Sequence, residues 1–117
     1  MFKLINIPEH CIQTAYIIMK LYFISQSVNG GYDTYDGAVV CAKNEEEARD
    51  IIPGGGTYSK REAREKAYPD EYQYPIYDWA YNKEDVVVKY IGSAVKGFKK
   101  SVICASFNAG WYEKDLL

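Results

Sequence analysis

A β-branched run meets a capped acidic segment at Asn44, and this junction constrains the fold more than any other part of the chain. Ala38-Val39-Val40-Cys41-Ala42-Lys43 reads as a strand, and Asn44-Glu45-Glu46-Glu47-Ala48-Arg49-Asp50-Ile51-Ile52-Pro53 as a short helix. Asn44 is an N-cap whose side-chain oxygen can accept from an amide one turn on. Glu47 stands three residues later, the spacing of a capping box. Glu45, Glu46 and Glu47 fall in the first turn, at the positive end of the helix dipole. Ala48, Ile51 and Ile52 make one apolar stripe, and Pro53 with the glycines behind it stops the helix. A helix of about two turns is not stable alone, so it must lie on an apolar sheet.

The remaining strands follow from alternation. Residues 21–28 and 37–43 read as the first two, separated by Asn29-Gly30-Gly31-Tyr32-Asp33-Thr34-Tyr35-Asp36, a connection longer than a tight Asn-Gly turn. Residues 84–91 read as a third strand, with Val86, Val88 and Tyr90 on one side, and residues 101–107 as a fourth. The Gly- and Lys-rich link 92–100 can return the chain for an antiparallel pair. The expectation is an α+β fold: a four-stranded, mainly antiparallel sheet in ββαββ order, one short helix on one face, and an aromatic-rich insertion. The 117 residues make a single domain, with 1–18 a possible N-terminal appendage and 54–83 the insertion.

That insertion begins with a flexible Gly54-Gly55-Gly56. A second capping-box pattern, Ser59 with Glu62, then starts a surface helix over 60–67. The pairs Arg61–Glu65 and Glu62–Lys66 would support it. The next stretch, residues 68–81, holds five tyrosines, Trp79, three carboxylates and no basic residue. Its two prolines disfavour a central strand. So many rings argue against disorder. They either cover the sheet or supply a partner's contact area.

A net charge of −2 argues against broad nucleic-acid binding. Lys96, Lys99 and Lys100 read as a solvated turn. Three cysteines do not make a disulfide framework, so reduced thiols and a cytoplasmic setting are expected, with Cys41 and Cys104 acting as small buried hydrophobes. The apolar stretch 12–24 is short for a bilayer and is split by Lys20.

No pattern carries catalysis. His10 and Cys11 are sequence neighbours and point apart. With one histidine and no Cys-x-x-Cys, no metal site is expected. The glycines at 54–56 lack the closing Gly-Lys-Ser/Thr of a phosphate loop. Asp33 and Asp36 could act as acid and base, but Asx-turn bonding accounts for both more simply.

Met19 to Val40, Ile91-Gly92-Ser93-Ala94 and Ala105-Ser106-Phe107-Asn108-Ala109-Gly110 together resemble a set of small uncharacterised proteins carried by bacteriophages and prophages. In size and style the chain is similar to phage proteins that counter host defences. The resemblance spans most of 19–110 outside the aromatic insertion. It implies no catalytic residue. It implies a host protein as partner, met in the host cytoplasm.

The leading expectation is a non-catalytic binding protein without a cofactor. Tyr72, Tyr74, Tyr77, Asp78 and Trp79 would form its contact surface, with Tyr32, Asp33, Tyr35 and Asp36 as a second patch. Rings would supply buried area and carboxylates would select a basic partner. Truncating Trp79 should then abolish binding and leave folding cooperative. The alternative is a small-molecule or nucleotide-sequestering protein using Gln26, Asp33, Ser106 and Asn108. Neither nucleic acid nor membrane is an expected partner; a homo-oligomer is compatible with both readings.

Overall fold

The computed structural model describes residues 18–109. His10, Cys11 and the proposed appendage therefore lie outside the described residues, apart from Ile18. The elements are β1 (Lys20–Ser25), β2 (Thr34–Ala42), α1 (Glu45–Asp50), α2 (Tyr58–Ala67), β3 (Val87–Ser93) and β4 (Ser101–Asn108). A single turn of 3-10 helix, Lys83–Asp85, leads into β3. The architecture is α+β, with a four-stranded antiparallel sheet in the order β3-β1-β2-β4.

The junction at Asn44 forms as its chemistry dictates. Asn44 Oδ1 accepts from the Glu47 amide at 2.8 Å. The return bond differs by one residue: Glu47 Oε1 accepts from the Lys43 amide, not that of Asn44. Ala48, Ile51 and Ile52 are all buried, and α1 packs over β1, β2 and β3. The second helix starts two residues earlier than its Ser59 pattern suggests. Thr57 is the cap, accepting from the Lys60 amide, while Ser59 donates its hydroxyl to Asp50. The expected Arg61–Glu65 and Glu62–Lys66 pairs do not form. Arg64 pairs with Glu71 instead, and Arg61 donates to the Tyr74 carbonyl.

The link after β3 does not make a hairpin with β4. Those two strands occupy opposite edges of the sheet. Ser93 pairs with Lys20, Lys20 with Ala42, and the neighbouring Cys41 with Ser101, so the link crosses one end of the sheet. Three strand spacings are about 14 Å, and a link of this length spans them easily. Since β3 and β2 are both antiparallel to β1, they run parallel to one another with β1 between. Helices and insertion form the crossover of this split β-α-β unit.

One sheet face is closed. Tyr22 and Ile24 of β1, Ala38, Val40 and Ala42 of β2, and Val86 before β3 pack with Ala48, Ile51, Ile52, Ile76, Trp79 and Ala80. On the other face Phe23 leans across Gly37, so closely that a Cβ there would meet its ring at 2.6 Å. Cys41 is buried, and burial together with Glu47 raises its thiol pKa. Cys104 was expected to be buried as well; it is exposed, as is every residue from Ser101 to Phe107, since α1 packs over β1, β2 and β3.

Candidate functional site

Residues 68–81 contain no regular element, yet their backbone is held at the carbonyls of Tyr74 and of every residue from Tyr77 to Ala80. Arg61 donates to the Tyr74 carbonyl. Asn29 Nδ2 donates to the carbonyls of Tyr77 and Trp79, 2.9 Å each. The Tyr35 amide donates to the Asp78 carbonyl at 2.9 Å, and the Tyr58 hydroxyl to that of Ala80 at 2.6 Å. These partners come from α2, the β1–β2 loop and the start of β2. They do the work that a ladder does in a strand, satisfying carbonyls that the fold would otherwise bury or strand.

The segment has two faces. Ile76, Trp79 and Ala80 enter the core, Trp79 with no exposed surface at all. Tyr72, Tyr74 and Tyr77 stand 70%, 71% and 68% exposed, with Tyr68 and Tyr81 also outward. The Tyr72 and Tyr74 rings meet edge to face at 5.1 Å. Arg64 bonds Glu71 and lies 5.5 Å over the Tyr68 ring, fixing the start of the stretch to α2. Trp79 is thus a correction to the expected contact surface. Its indole is a structural core group with nothing to offer a partner, and its Nε1 has no hydrogen-bond partner.

The structure brings the second expected patch beside the first. Asn29 and Tyr35 bind the 77–79 backbone, so the β1–β2 loop and the aromatic segment form one continuous surface. Asp33 and Asp36 are exposed on it, as is Tyr32. Tyr35 is only half available, its ring packed 4.8 Å from that of Phe107. Asp33 has φ 62°, a conformation Asp tolerates better than most residues.

The alternative ligand set gathers around the β1–β2 loop, but its polar groups are largely spent on that loop. Gln26 is buried and fully occupied by the loop: Nε2 donates to the Asn29 and Tyr35 carbonyls, and Oε1 accepts from the Val28 and Asn29 amides. Asn108 Nδ2 donates to the Gly31 carbonyl at 2.6 Å, and its own carbonyl accepts from the Asp33 amide. Ser106 is exposed on the edge strand. These groups shape the loop and leave little free for a ligand.

Two clefts flank the aromatic segment. One of about 420 Å³ lies between α2 and the turn before β3, lined by Tyr58, Glu62, Glu65, Tyr81 and Glu84 among others. The second, about 210 Å³, lies between the Gly54-Gly55 turn and Tyr77 and Asp78. Arg61, Pro75 and Ile76 line both. A Cβ at Gly54 would fall 2.4 Å from Asp78 Oδ2, so the Asp78 carboxylate would have to turn aside. Burial pushes the Tyr58 phenol well above its ordinary pKa, and Asp85 and Glu84 push it further. Three carboxylates, Glu62, Glu65 and Glu84, and two cations, Arg61 and Lys83, line this cleft. Sequence reasoning missed these clefts, although Glu62 and Glu65 stand three apart on one helix face.

Among the described residues no group of His, Cys, Asp or Glu is arranged to hold a metal ion. None of the described helices is long and apolar enough to cross a membrane. No protein-family model matches the chain, and no curated protein or solved structure matches it.

Proposed function

We propose that the chain is a non-catalytic binding protein that occupies a protein partner with the surface built from residues 68–81 and the β1–β2 loop. The observation that carries this reading is the display of Tyr72, Tyr74 and Tyr77 on a backbone tied down at five carbonyls. Tyrosine offers large amphipathic contact area with few rotors, and a segment ordered beforehand spares the entropy of ordering it on binding. Asp33, Asp36 and Asp78 and the glutamates of the larger cleft favour a basic partner surface. The resemblance to phage-borne proteins favours a host protein as that partner and the host cytoplasm as the setting.

The test compares affinity capture by the wild-type chain and by Tyr72→Ser/Tyr74→Ser/Tyr77→Ser, each checked for an unchanged melt. A protein bound by the former and lost by the latter is the expected result. An identical set of captured proteins from both would refute the assignment.

A further inference from the structure

Asn29 grips the aromatic segment with bonds that only an amide nitrogen can make. Its Nδ2 donates to the Tyr77 and Trp79 carbonyls at 2.9 Å each. Both partners are acceptors, so neither the side-chain oxygen nor an ionised carboxylate can take this place. The residue that follows is glycine, and Asn29-Gly30 is the one Asn-Gly pair in the sequence.

Such a pair holds the parts of a deamidation reaction. The glycine amide nitrogen attacks the asparagine Cγ, and no side chain on the glycine shields it. In this loop the nucleophile is open. Gly30 is exposed, a Cβ there would meet nothing within 4 Å, and among the described residues its amide donates to no acceptor. The electrophile is held back. Gln26 Oε1 accepts from the Asn29 amide, and Gln26 Nε2 donates to the Asn29 carbonyl, which fixes the backbone. The leaving nitrogen is the atom that makes both clasp bonds, so it cannot depart without breaking them.

We propose that Asn29 is a deamidation site, gated by its own clasp, whose conversion releases residues 77–79. The Gly30 nitrogen bonds to Asn29 Cγ and gives up its proton. The Cγ–Nδ2 bond breaks, and Nδ2 leaves as ammonia. Water then opens the five-membered imide at either carbonyl, leaving aspartate or isoaspartate. No electrons are transferred, and water is the only co-reactant. Both products are ionised at neutral pH and only accept. Facing the Tyr77 and Trp79 carbonyls, the new carboxylate sets acceptor against acceptor in a partly buried place. Isoaspartate also adds a carbon to the backbone between the groups that Gln26 holds. The gate works in one direction. Lifting the segment frees the amide for attack, and after reaction the segment has no donor to return to. The Asp78 carbonyl is then left to the Tyr35 amide alone. Neither step depends on the binding role proposed above, and the test needs no partner.

The full chain is incubated at neutral pH, folded and in urea, and residue 29 is followed by peptide mass. The expected result is a gain of one mass unit at Asn29, slower in the folded chain by about tenfold or more, since two hydrogen bonds must break first. Gly30→Ala, which the open space at that position accommodates, suppresses the gain in urea as well. The aged wild-type product, separated by its extra charge, and Asn29→Asp both exchange the Tyr35 amide faster than the starting chain, by about tenfold. Absence of the gain in urea would remove the site. Equal rates in the folded chain and in urea would remove the gate. A Tyr35 amide as protected in the aged product or in Asn29→Asp as in wild type would remove the release. Each of these results overturns the proposal.

Discussion

Truncation of Trp79 tests the division of the aromatic segment into a buried and a displayed face. The indole has no exposed surface and packs among Ile76, Ala80, Ile51, Ile52 and Val86 in the core cluster. Replacing a large buried aromatic ring with alanine costs about 3–5 kcal/mol. Small domains are stable by about 5–15 kcal/mol, so Trp79→Ala removes a large share of the total. At roughly 4 °C per kcal/mol for a chain of this size, the melting temperature should fall by about 12–20 °C. Trp79→Phe should behave differently. It leaves a smaller cavity, costing on the order of 1–2 kcal/mol. It also removes the unpartnered Nε1 donor, whose burial costs about 1–3 kcal/mol. The two terms oppose, and the phenylalanine variant should lie within about 1 kcal/mol of wild type. Urea unfolding followed by far-ultraviolet circular dichroism measures both. A Trp79→Ala midpoint close to wild type would refute burial of the ring. A Trp79→Phe variant as unstable as the alanine variant would refute the unpartnered donor.

Three further outcomes follow from groups the structure commits. Gln26→Ala should cost about 2–3 kcal/mol, since Gln26 is buried and its four bonds hold the β1–β2 loop, and should raise amide exchange between Val28 and Tyr35. Asn44→Ala should cost about 1 kcal/mol, read as a lower urea midpoint with an unchanged slope, because it removes a cap without altering the area exposed on unfolding. Tyr58 should be among the last described tyrosines to ionise in a spectrophotometric titration, and Tyr58→Phe should delete that late phase. The sign of its effect on stability follows directly. Its folded-state pKa lies above the ordinary 10.0, so the native state keeps a proton that the unfolded state gives up, and the contribution is lost as pH rises beyond about 10. Wild type should lose stability across that window more steeply than Tyr58→Phe.

The strand-to-helix junction was legible because each local signal agreed: β-branched alternation, a capping asparagine, acids in the first turn and a proline stop all name the same boundary. The four strands were legible for the same reason, to within a few residues at their ends. Their order was not. A link from 94 to 100 is long enough either to turn back beside β3 or to cross the sheet end, and nothing in its lysines and glycines distinguishes the two. The aromatic segment was half legible. Its tyrosine density signalled contact area, but Trp79 was grouped with the tyrosines when its neighbours pointed the other way. Apart from its two prolines, Ile76, Trp79 and Ala80 are the segment's apolar residues without a hydroxyl or charge, spaced by three and one, and they are the ones buried. The anchors of the segment were invisible for a different reason. Asn29, Tyr35, Tyr58 and Arg61 act on carbonyls as many as 50 residues away, and no local pattern encodes such a bond.

The same stretch of chain closes the core and carries the proposed contact surface, and the fold leaves no other arrangement. Helix α1 is only six residues long and covers part of the sheet's inner face. The uncovered part must be sealed by whatever follows, and α2 has no buried residue to contribute. Residues 76–80 seal it, with Trp79 as the plug. A segment that must lie against the core at every third or fourth residue turns its intervening residues outward, and here those residues are Tyr77 and Asp78, continued by Tyr74 and Tyr72. Shifting the backbone at Tyr77 would require withdrawing Trp79 from the core and breaking the clasp of Asn29 on both sides of Asp78. The backbone from Tyr77 to Ala80 is therefore fixed by the core beneath it. The proposed contact surface rests on that anchorage as much as on the tyrosines themselves.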